Sequence, residues 1–312
     1  MNQRSGKKRV VVTGGNGFIG RHIVRRLMTA GNFDVVVVDK ESPGDAIAIP
    51  TRCGSFGDCA FMRTILQEHD TVLHLACSTI PATSEKDRRA DICDNIVGSV
   101  ELLEACVERR VARLIFMSSG GTVYGTHGAQ GAREDSPTNP VSSHGAMKLA
   151  IEKYIAVFRA LHALPYVIVR ASNPYGWTYE RKKNQGIIDV ALRKALKNET
   201  ITIWGDGTVA RDFIYIDDLT EALFRIVDGD LADEIINVGT GIGVSVNRIL
   251  STIEKTIGRD LHKEYVPERG FDIASNVLCV QKALMKLGWG PATTIEQGIR
   301  TLYVAMMRED HP

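Results

Sequence analysis

The chain has 312 residues, of which 44% are hydrophobic and 24% are charged, a composition that is typical of a folded globular protein and argues against intrinsic disorder. Lys and Arg number 38 and Asp and Glu 37, so the net charge of +1 gives no reason to expect a nucleic acid partner. No apolar run approaches the roughly 20 residues of a membrane span, and no signal peptide precedes Val10, so we expect a cytoplasmic protein without membrane association.

Apolar segments that predict strands recur through the first half of the chain, with helical segments between them. The predicted strands are residues 9–13, 35–39, 71–76, 113–118 and 166–170, and the clearest helices are residues 18–30, 91–109 and 143–161. This alternation predicts an α/β fold with a doubly wound parallel (Rossmann) sheet, whose ligands lie at the carboxyl ends of the strands.

The pattern becomes mixed after Arg170. Strands are predicted within residues 201–216 and at 235–238, and helices at 186–197 and 245–257. We expect one domain from residues 1–172, to which 208–238 return. A smaller C-terminal α/β domain is expected from residues 173–207 and 239–312.

Residues 10–20, VVVTGGNGFIG, place Gly14, Gly17 and Gly20 between an apolar strand and a helix. Gly14 permits a tight turn, Gly17 allows close approach of a pyrophosphate to the helix N-terminus, and Gly20 allows close packing of helix and strand. Asp39 ends the next predicted strand, where it can bind ribose hydroxyls and repel a 2′-phosphate. The unit therefore favours NAD, although Lys40 leaves NADP open.

A second polar segment, SSGGTVYG at residues 118–125, follows the predicted strand that ends near Met117. Farther on, His144 and Lys148 lie four residues apart and hence on one face of a predicted helix. A proton-transferring group and a lysine beside a nicotinamide suit the oxidation of a sugar alcohol. On spacing alone, a helix with a surface His and Lys is the better interpretation.

The six cysteines, at 53, 59, 77, 93, 106 and 279, form no CxxC pair, and no His cluster has zinc-ligand spacing. We therefore expect reduced, mostly packed thiols and no metal site.

The chain resembles the extended short-chain dehydrogenase/reductase superfamily, specifically the nucleotide-sugar epimerases and dehydratases of the UDP-glucose 4-epimerase type. The resemblance runs from about Val10 to about Leu302. It rests on motifs in a fixed order: TGGNGFIG, Asp39, Asp58, HLAC (74–77), Asn95, SSGGTVYG, HGAMK (144–148), NPYG (173–176), IWGDGTVARDFIYIDD (203–218), NVGTG (237–241) and ERGFD (268–272).

The resemblance implies that the first domain binds NAD and the second binds the nucleotide sugar. The predicted cofactor contacts are Gly14, Asn16, Gly17, Phe18, Ile19, Gly20, Asp39, Asp58, Leu75, Ala76, Asn95, Ser118 and Lys148. The predicted substrate contacts are Asn173, Ile188, Ile203, Trp204, Arg211, Arg269 and Asp272. Arg and Asn side chains suit a diphosphate, although Arg211 paired internally with Asp212 or Asp217 is an alternative.

Two predicted catalytic positions depart from the family's pattern. His144 stands where the family has the tyrosine of Tyr-x-x-x-Lys, and Gly120 stands where it has a catalytic Ser or Thr. The predicted catalytic residues are therefore His144, Lys148 and the nearest hydroxyls, Thr122 and Ser119. A histidine with its ordinary pKa of about 6.5 would be a competent base. His144 is thus a working base, a natural loss that leaves a binding protein, or an introduced substitution.

Members of these families first oxidise the sugar at C4 and then diverge. Dehydratases have an Asp-Glu pair before VYG and decarboxylases a Glu, whereas this chain has Gly121 and Thr122. The pattern favours C4 epimerisation of a UDP-hexose or UDP-N-acetylhexosamine, with uracil at residues 203–205. The alternatives are a 4-keto-sugar reductase or dehydratase and a catalytically attenuated protein that binds NAD and UDP-sugar.

Relatives commonly form homodimers through the two long helices, here residues 91–109 and 143–161. A homodimer is therefore expected. Ile151, Ile155 and Phe158 would serve either that interface or the domain core.

Overall fold

The protein is described by a computed structural model covering residues 6–42, 50–79, 84–85, 87–126, 131–178, 186–268 and 273–310. The chain forms two compact units. The first contains residues 1–123, 140–170 and 220–236, and the second contains residues 124–139, 171–219 and 237–312. Within the described residues, no helix combines the length and apolarity needed to span a membrane.

The strands are β1 (Lys8–Thr13), β2 (Phe33–Asp39), β3 (Thr51–Cys53), β4 (Thr71–His74), β5 (Arg113–Ser119), β6 (Tyr166–Ala171), β7 (Asn173–Tyr175), β8 (Ile201–Trp204), β9 (Ala210–Tyr215), β10 (Glu234–Val238), β11 (Gly243–Ser245), β12 (Lys263–Val266) and β13 (Ser275–Asn276). The helices are α1 (Phe18–Ala30), α2 (Cys59–Ile65), α3 (Arg88–Asp91), α4 (Gly98–Glu108), α5 (Gly120–Val123), α6 (Ser143–His162), α7 (Ile187–Leu196), α8 (Ile216–Asp228), α9 (Val246–Ile257), α10 (Gln281–Leu287) and α11 (Ile295–Asp310), with a π-helical turn at Ile92–Val97 between α3 and α4.

The first unit is built on a seven-stranded sheet in the order β10-β6-β5-β4-β1-β2-β3. β1 pairs in parallel with both β2 and β4, and the pairs β2–β3 and β4–β5 are parallel as well. Val10, Val11 and Val12 of β1 are fully buried, as expected for a strand covered on both faces. The order 3-2-1-4-5-6 within this sheet confirms the predicted doubly wound Rossmann fold.

The second unit contains a four-stranded arrangement in which β9 pairs with β7, β11 and β13, and a separate two-stranded sheet of β8 and β12. β9 pairs antiparallel with β11 and in parallel with β7 and β13.

The compact units differ from the expected domain boundaries in two segments. Residues 208–219 belong to the second unit because β9 pairs there with β7, β11 and β13. Residues 124–139 belong to it as well, since the Tyr124 hydroxyl donates to Asn237 Oδ1 at 2.7 Å and Ala132 bridges to Leu278. The binding roles of the two domains stay predictions.

The predicted helix at residues 91–109 starts earlier than expected and is interrupted by the π-helical turn. The Asn95 side-chain amide donates to the Asp91 carbonyl at 3.1 Å and to Asp91 Oδ1 at 2.9 Å. The amide thus gives the Asp91 carbonyl a side-chain donor, in the turn where the backbone departs from α-helical geometry.

A chain of hydrogen bonds crosses the buried end of β4. The Ser99 hydroxyl donates to the Asn95 carbonyl at 2.6 Å, so it accepts from His74 Nε2 at 3.1 Å. His74 Nδ1 therefore accepts from the Thr13 hydroxyl, 2.7 Å away. Burial, with a smaller effect of the Lys148 charge, lowers the pKa of His74 to about 3.

The neutrality of His74 predicts a pH dependence of folding stability. Because the pKa is lowered in the folded state, the unfolded chain binds a proton that the folded chain excludes, and stability falls as pH drops from about 6.5 towards about 3. We expect His74 to contribute a slope of about 1.4 kcal/mol per pH unit in that window.

Urea denaturation of the parent and of His74→Gln between pH 7 and pH 4.5 measures this slope. The exposed His262 provides the matched control, His262→Gln. A His74→Gln variant whose stability falls with pH as steeply as that of the parent would contradict the assignment.

Candidate active site

The glycine loop packs closely between β1, α1 and the chain after β4. Gly14 has a φ of +73°, and a Cβ there would lie 2.6 Å from the Ala76 backbone nitrogen. A Cβ on Gly20 would lie 2.2 Å from the Gly14 carbonyl oxygen. Gly17 precedes α1 and supplies no side-chain cap, so the helix N-terminus keeps its amide donors for a ligand. The loop therefore fits a pyrophosphate.

The predicted ribose-binding carboxylate is held at the end of β2. Asp39 Oδ2 accepts from the Asn16 backbone amide at 3.0 Å, and Asn16 Nδ2 donates to the Glu41 carbonyl at 2.7 Å. Asn16 Oδ1 is buried and lacks a hydrogen-bond partner within the described residues, as expected of a group that awaits a ligand. Lys40, the residue that left NADP open, has its Nζ 3.7 Å from Asp94 Oδ2 in an exposed ion pair.

The other predicted cofactor residues lie along the same sheet edge, after β3, β4 and β5. Asp58 Oδ1 caps α2 by accepting from the Phe61 amide at 2.9 Å. Leu75 donates its backbone amide to the Thr13 carbonyl at 3.1 Å, which sets Ala76 against the glycine loop. These contacts support the predicted placement, and direct contacts with the cofactor stay predictions.

Two predicted cofactor residues use their polar atoms within the protein. The Asn95 amide holds the chain after β4, because Asn95 Oδ1 accepts from the Ser78 amide and Asn95 Nδ2 donates to the Ser78 hydroxyl, each at 2.9 Å. The Ser118 hydroxyl donates to Glu152 Oε1. Both residues therefore shape the edge of the site through protein contacts.

The segment after β5 brings one of the two candidate hydroxyls next to α6. Thr122 lies in α5, and a Cβ on Gly145 in α6 would lie 2.5 Å from the Thr122 carbonyl oxygen. Thr122 Oγ1 is buried and lacks a hydrogen-bond partner within the part of the chain described. Ser119 ends β5 and is half-buried. The unsatisfied hydroxyl favours Thr122 over Ser119.

His144 and Lys148 lie in the first two turns of α6, whose N-terminus is capped by the Ser142 hydroxyl. His144 is 7% exposed, and its Nδ1 is buried with no hydrogen-bond partner among the described residues. Lys148 is 5% exposed and donates to the Met117 carbonyl at 2.9 Å. Both side chains are therefore internal, which argues against a surface His and Lys.

The expectation that His144 keeps an ordinary pKa is wrong. Burial, followed by the positive charge of Lys148, lowers the pKa of His144 to about 3. The imidazole is neutral at physiological pH, as a base must be before it acts. Protonation would place a second cation beside Lys148, so this histidine is a much weaker base than expected.

Two charged residues that the sequence reasoning missed lie deeper on the same side of the sheet. Glu152 follows Lys148 by one turn, and its carboxylate binds Arg170 of β6 with Nη2–Oε2 and Nε–Oε1 distances of 2.6 and 3.1 Å. Glu152 is 4% and Arg170 3% exposed. The spacing of 144, 148 and 152 on one helix face is the signal that was available in the sequence.

The predicted substrate residues that the structure describes lie in the second unit. Asn173 Nδ2 donates to the Asp212 carbonyl at 2.8 Å, and Arg211 Nη1 donates to the Ile273 carbonyl at 2.6 Å. The Asp212 carboxylate accepts from the backbone amides of Thr240 and Gly241, at 2.9 and 3.0 Å. These contacts commit the Asp212 carboxylate to the loop after β10, which weakens the alternative of an Arg211–Asp212 pair.

The remaining predicted substrate residues differ in exposure. Ile188 and Ile203 are buried, whereas Trp204 at the end of β8 is 46% exposed. Arg269 and Asp272 lie outside the described residues. Substrate contacts at all of these positions stay predictions.

Comparison with known proteins agrees with this geometry. Residues 10–239 match the NAD dependent epimerase/dehydratase family. A putative UDP-glucose 4-epimerase of Methanocaldococcus jannaschii is 32% identical over 297 residues, which cover 93% of this chain and 96% of that protein. The crystal structure of the Thermotoga maritima UDP-glucose 4-epimerase with UDP-glucose is 31% identical and superposes with a TM-score of 0.90, covering 97% of this chain and 100% of that one.

A third similar protein is an epimerase of a different UDP-sugar. The UDP-glucuronic acid 4-epimerase of Bacillus cereus, crystallised with UDP-glucuronic acid and NAD, is 26% identical, with a TM-score of 0.88 over 96% of this chain and 99% of that one. NAD is the cofactor of the matched family, as the glycine loop and Asp39 predicted. Because the family match covers residues 10–239 and the M. jannaschii protein is 32% identical over 93% of the chain, the chain belongs to the NAD dependent epimerase/dehydratase family.

Proposed function

We propose that the protein is an NAD-dependent C4 epimerase of a UDP-hexose or UDP-N-acetylhexosamine. The carrying observation is the pair of unsatisfied buried atoms, Thr122 Oγ1 and His144 Nδ1, on the adjoining helices α5 and α6. A sugar hydroxyl, which both donates and accepts hydrogen bonds, is a group that can partner either atom. NAD, when bound, accepts a hydride from the sugar and later returns it.

Each residue of the first unit has a specific part in this proposal. The Thr122 hydroxyl orients the sugar 4-hydroxyl, and His144 Nδ1 accepts its proton and returns it later. Lys148 holds the nicotinamide ribose. The chain has Gly121 and Thr122 where dehydratases carry an acid and a base, so elimination of water is disfavoured.

The low pKa of His144 makes this reaction slower than it would be with a base whose pKa lies near physiological pH. The Lys148 charge lowers the pKa of either residue at 144. A tyrosine, which starts from about 10, is brought towards physiological pH, whereas a histidine, which starts from about 6.5, is brought far below it. We therefore expect an active but attenuated enzyme.

Two alternatives remain in view. The low basicity of His144 and the absent hydroxyl at Gly120 favour a protein that binds NAD and UDP-sugar without turnover. A 4-keto-sugar reductase would exchange its cofactor at every cycle, whereas an epimerase retains it.

The second unit is proposed to bind the UDP part of the substrate. Arg211, Asn173 and Arg269 carry the donors that a diphosphate accepts, and residues 203–205 match the segment that pairs with uracil in relatives. Similar proteins crystallised with UDP-glucose or UDP-glucuronic acid support UDP as the carrier.

The function is tested by product analysis. Purified protein incubated separately with UDP-glucose, UDP-N-acetylglucosamine and their C4 epimers is expected to give the same equilibrium mixture from either epimer of a pair, as resolved by NMR. Retention of NAD through purification is expected. Tight UDP binding without turnover of any substrate would favour the binding protein, and dependence on added NADH with a 4-keto substrate would favour the reductase.

His144→Tyr is expected to raise kcat by at least about tenfold, because Lys148 lowers the pKa of a tyrosine towards physiological pH. The parent kcat is expected to be flat between pH 5 and pH 8, since the pKa of His144 is about 3. The kcat of His144→Tyr should fall on the acid side, where the tyrosinate is protonated.

His144→Phe is the matched control for ring volume and is expected to be inactive. A parent profile that loses activity near pH 6.5 would contradict the lowered basicity of His144. A His144→Phe variant as active as His144→Tyr would show that neither ring is the base.

We also propose a homodimer, whose interface on α6 does not use Ile151, Ile155 and Phe158. Ile151, Ile155 and Phe158 are 2%, 1% and 9% exposed and belong to the core of the unit. The exposed apolar side chains of α6 are those of Tyr154, Val157 and Leu161, at 44%, 46% and 72%. These three are spaced to share one face of the helix.

The double variant Val157→Glu, Leu161→Glu is expected to be a folded monomer, because two carboxylates would be buried in the interface. Light scattering after gel filtration at micromolar concentration measures the mass. Ala156→Glu, at an exposed position of the same helix that is turned away from these three side chains, serves as the control and should remain a dimer. A monomeric parent would contradict the proposal.

A further inference from the structure

The two charged residues that follow residue 144 by one and two turns on α6 do not pair with each other as their spacing suggests. Lys148 and Glu152 are four residues apart on α6, a spacing at which opposite charges commonly pair. Glu152 instead binds Arg170 of β6 through both oxygens, with Nη2–Oε2 at 2.6 Å and Nε–Oε1 at 3.1 Å. It also accepts from the Ser118 hydroxyl at the end of β5.

Lys148 is consequently left with neutral partners. Its Nζ donates to the Met117 carbonyl at 2.9 Å and lies 4.9 Å from the centroid of the Phe116 ring. Among the residues that the structure describes, no carboxylate pairs with it. Of the two buried cations, Arg170 therefore contacts the Glu152 carboxylate and Lys148 does not.

We propose that Glu152 is a positioning residue: Arg170 and Ser118 hold its carboxylate away from Lys148, so that Lys148 presents its full positive charge to the group at residue 144 and to an oxyanion bound there. Naming that oxyanion as the alkoxide forming at the sugar C4 oxygen rests on the proposed function. The arrangement of the Lys148, Glu152 and Arg170 charges is independent of the proposed function.

Other titratable groups that the structure describes near residue 144 have partners of their own or are neutral. Glu85 and Arg88 contact Ser143, at the N-terminus of α6, and bind each other. His74 of β4 is neutral at physiological pH. Lys148 is therefore the charge that dominates at residue 144, as its effect on His144 indicates.

A tyrosine at position 144 serves as the reporter. His144→Tyr is labelled at tyrosine Cζ and titrated by carbon-13 NMR without substrate, and the new resonance is assigned by its absence from the parent. Glu152→Gln is expected to lower the pKa of this tyrosine, because a negative charge is lost. Arg170→Met is expected to raise it by about one pH unit or more, because Glu152 becomes free to pair with Lys148.

The double variant Glu152→Gln, Arg170→Met separates positioning from simple addition of charges. If Arg170 holds Glu152 away from Lys148, Glu152→Gln lowers the tyrosine pKa in both backgrounds. The decrease is then expected to be at least about twofold larger with Arg170→Met than with Arg170 retained. Equal effects in the two backgrounds would overturn the proposal.

Two further variants guard against a structural artefact. Arg170→Lys keeps the charge and is expected to leave the tyrosine pKa close to that of the reporter. Ser118→Ala keeps every charge and should shift it less than either charge variant, whereas a larger shift would also contradict the proposal. The titration needs no turnover, so its outcome is independent of whether the protein proves to be an epimerase.

Discussion

A single buried positive charge, that of Lys148, constrains what any group at residue 144 can do. In water the charge of a lysine is screened, but here the side chain is 5% exposed and hydrogen-bonded to a backbone carbonyl. A cation in this setting stabilises an anionic neighbour and destabilises a cationic one. The lysine therefore lowers the pKa of either residue at 144: on a tyrosine this favours an anionic base, and on a histidine it keeps the imidazole neutral.

The parallel sheet explains why that charge is buried at this place. β5 ends at Ser119, and the Met117 carbonyl near its carboxyl end receives the lysine ammonium. Gly14 and Asp39 lie at the carboxyl ends of β1 and β2, so the sheet brings groups that are predicted to bind the cofactor to the same edge. Glu152 and Arg170 lock α6 to β6 beneath this edge. Fold stability and the charge at the site thus depend on the same buried contacts.

Local patterns in the sequence predicted the fold where one element determines its own shape. The α1 helix at residues 18–30 and the strand at Val10 follow from periodicity and from glycine spacing, and both are confirmed. The π-helical turn could not be read, because it depends on an Asn95 side chain that takes the Asp91 carbonyl. The boundary between the units could not be read either, because it depends on which partners β9 finds in space.

The site shows the same limit more sharply. Residue spacing placed His144 and Lys148 on one face, but their burial comes from packing against β5 and α5. The pKa of His144 follows from that burial and from an unpaired neighbouring charge. Neither is visible in the sequence, because Glu152 stands one turn from Lys148 and pairs instead with Arg170, a residue on another element.

The central claim, that burial together with the Lys148 charge keeps His144 uncharged, is tested most directly by nitrogen-15 NMR of histidine-labelled protein, with His144 assigned through His144→Gln. The account predicts that the His144 imidazole stays neutral at pH 5, since its pKa is about 3, and that Lys148→Met raises this pKa. An imidazole that titrates near its ordinary value of about 6.5 in the parent, or one that is unaffected by Lys148→Met, would contradict it.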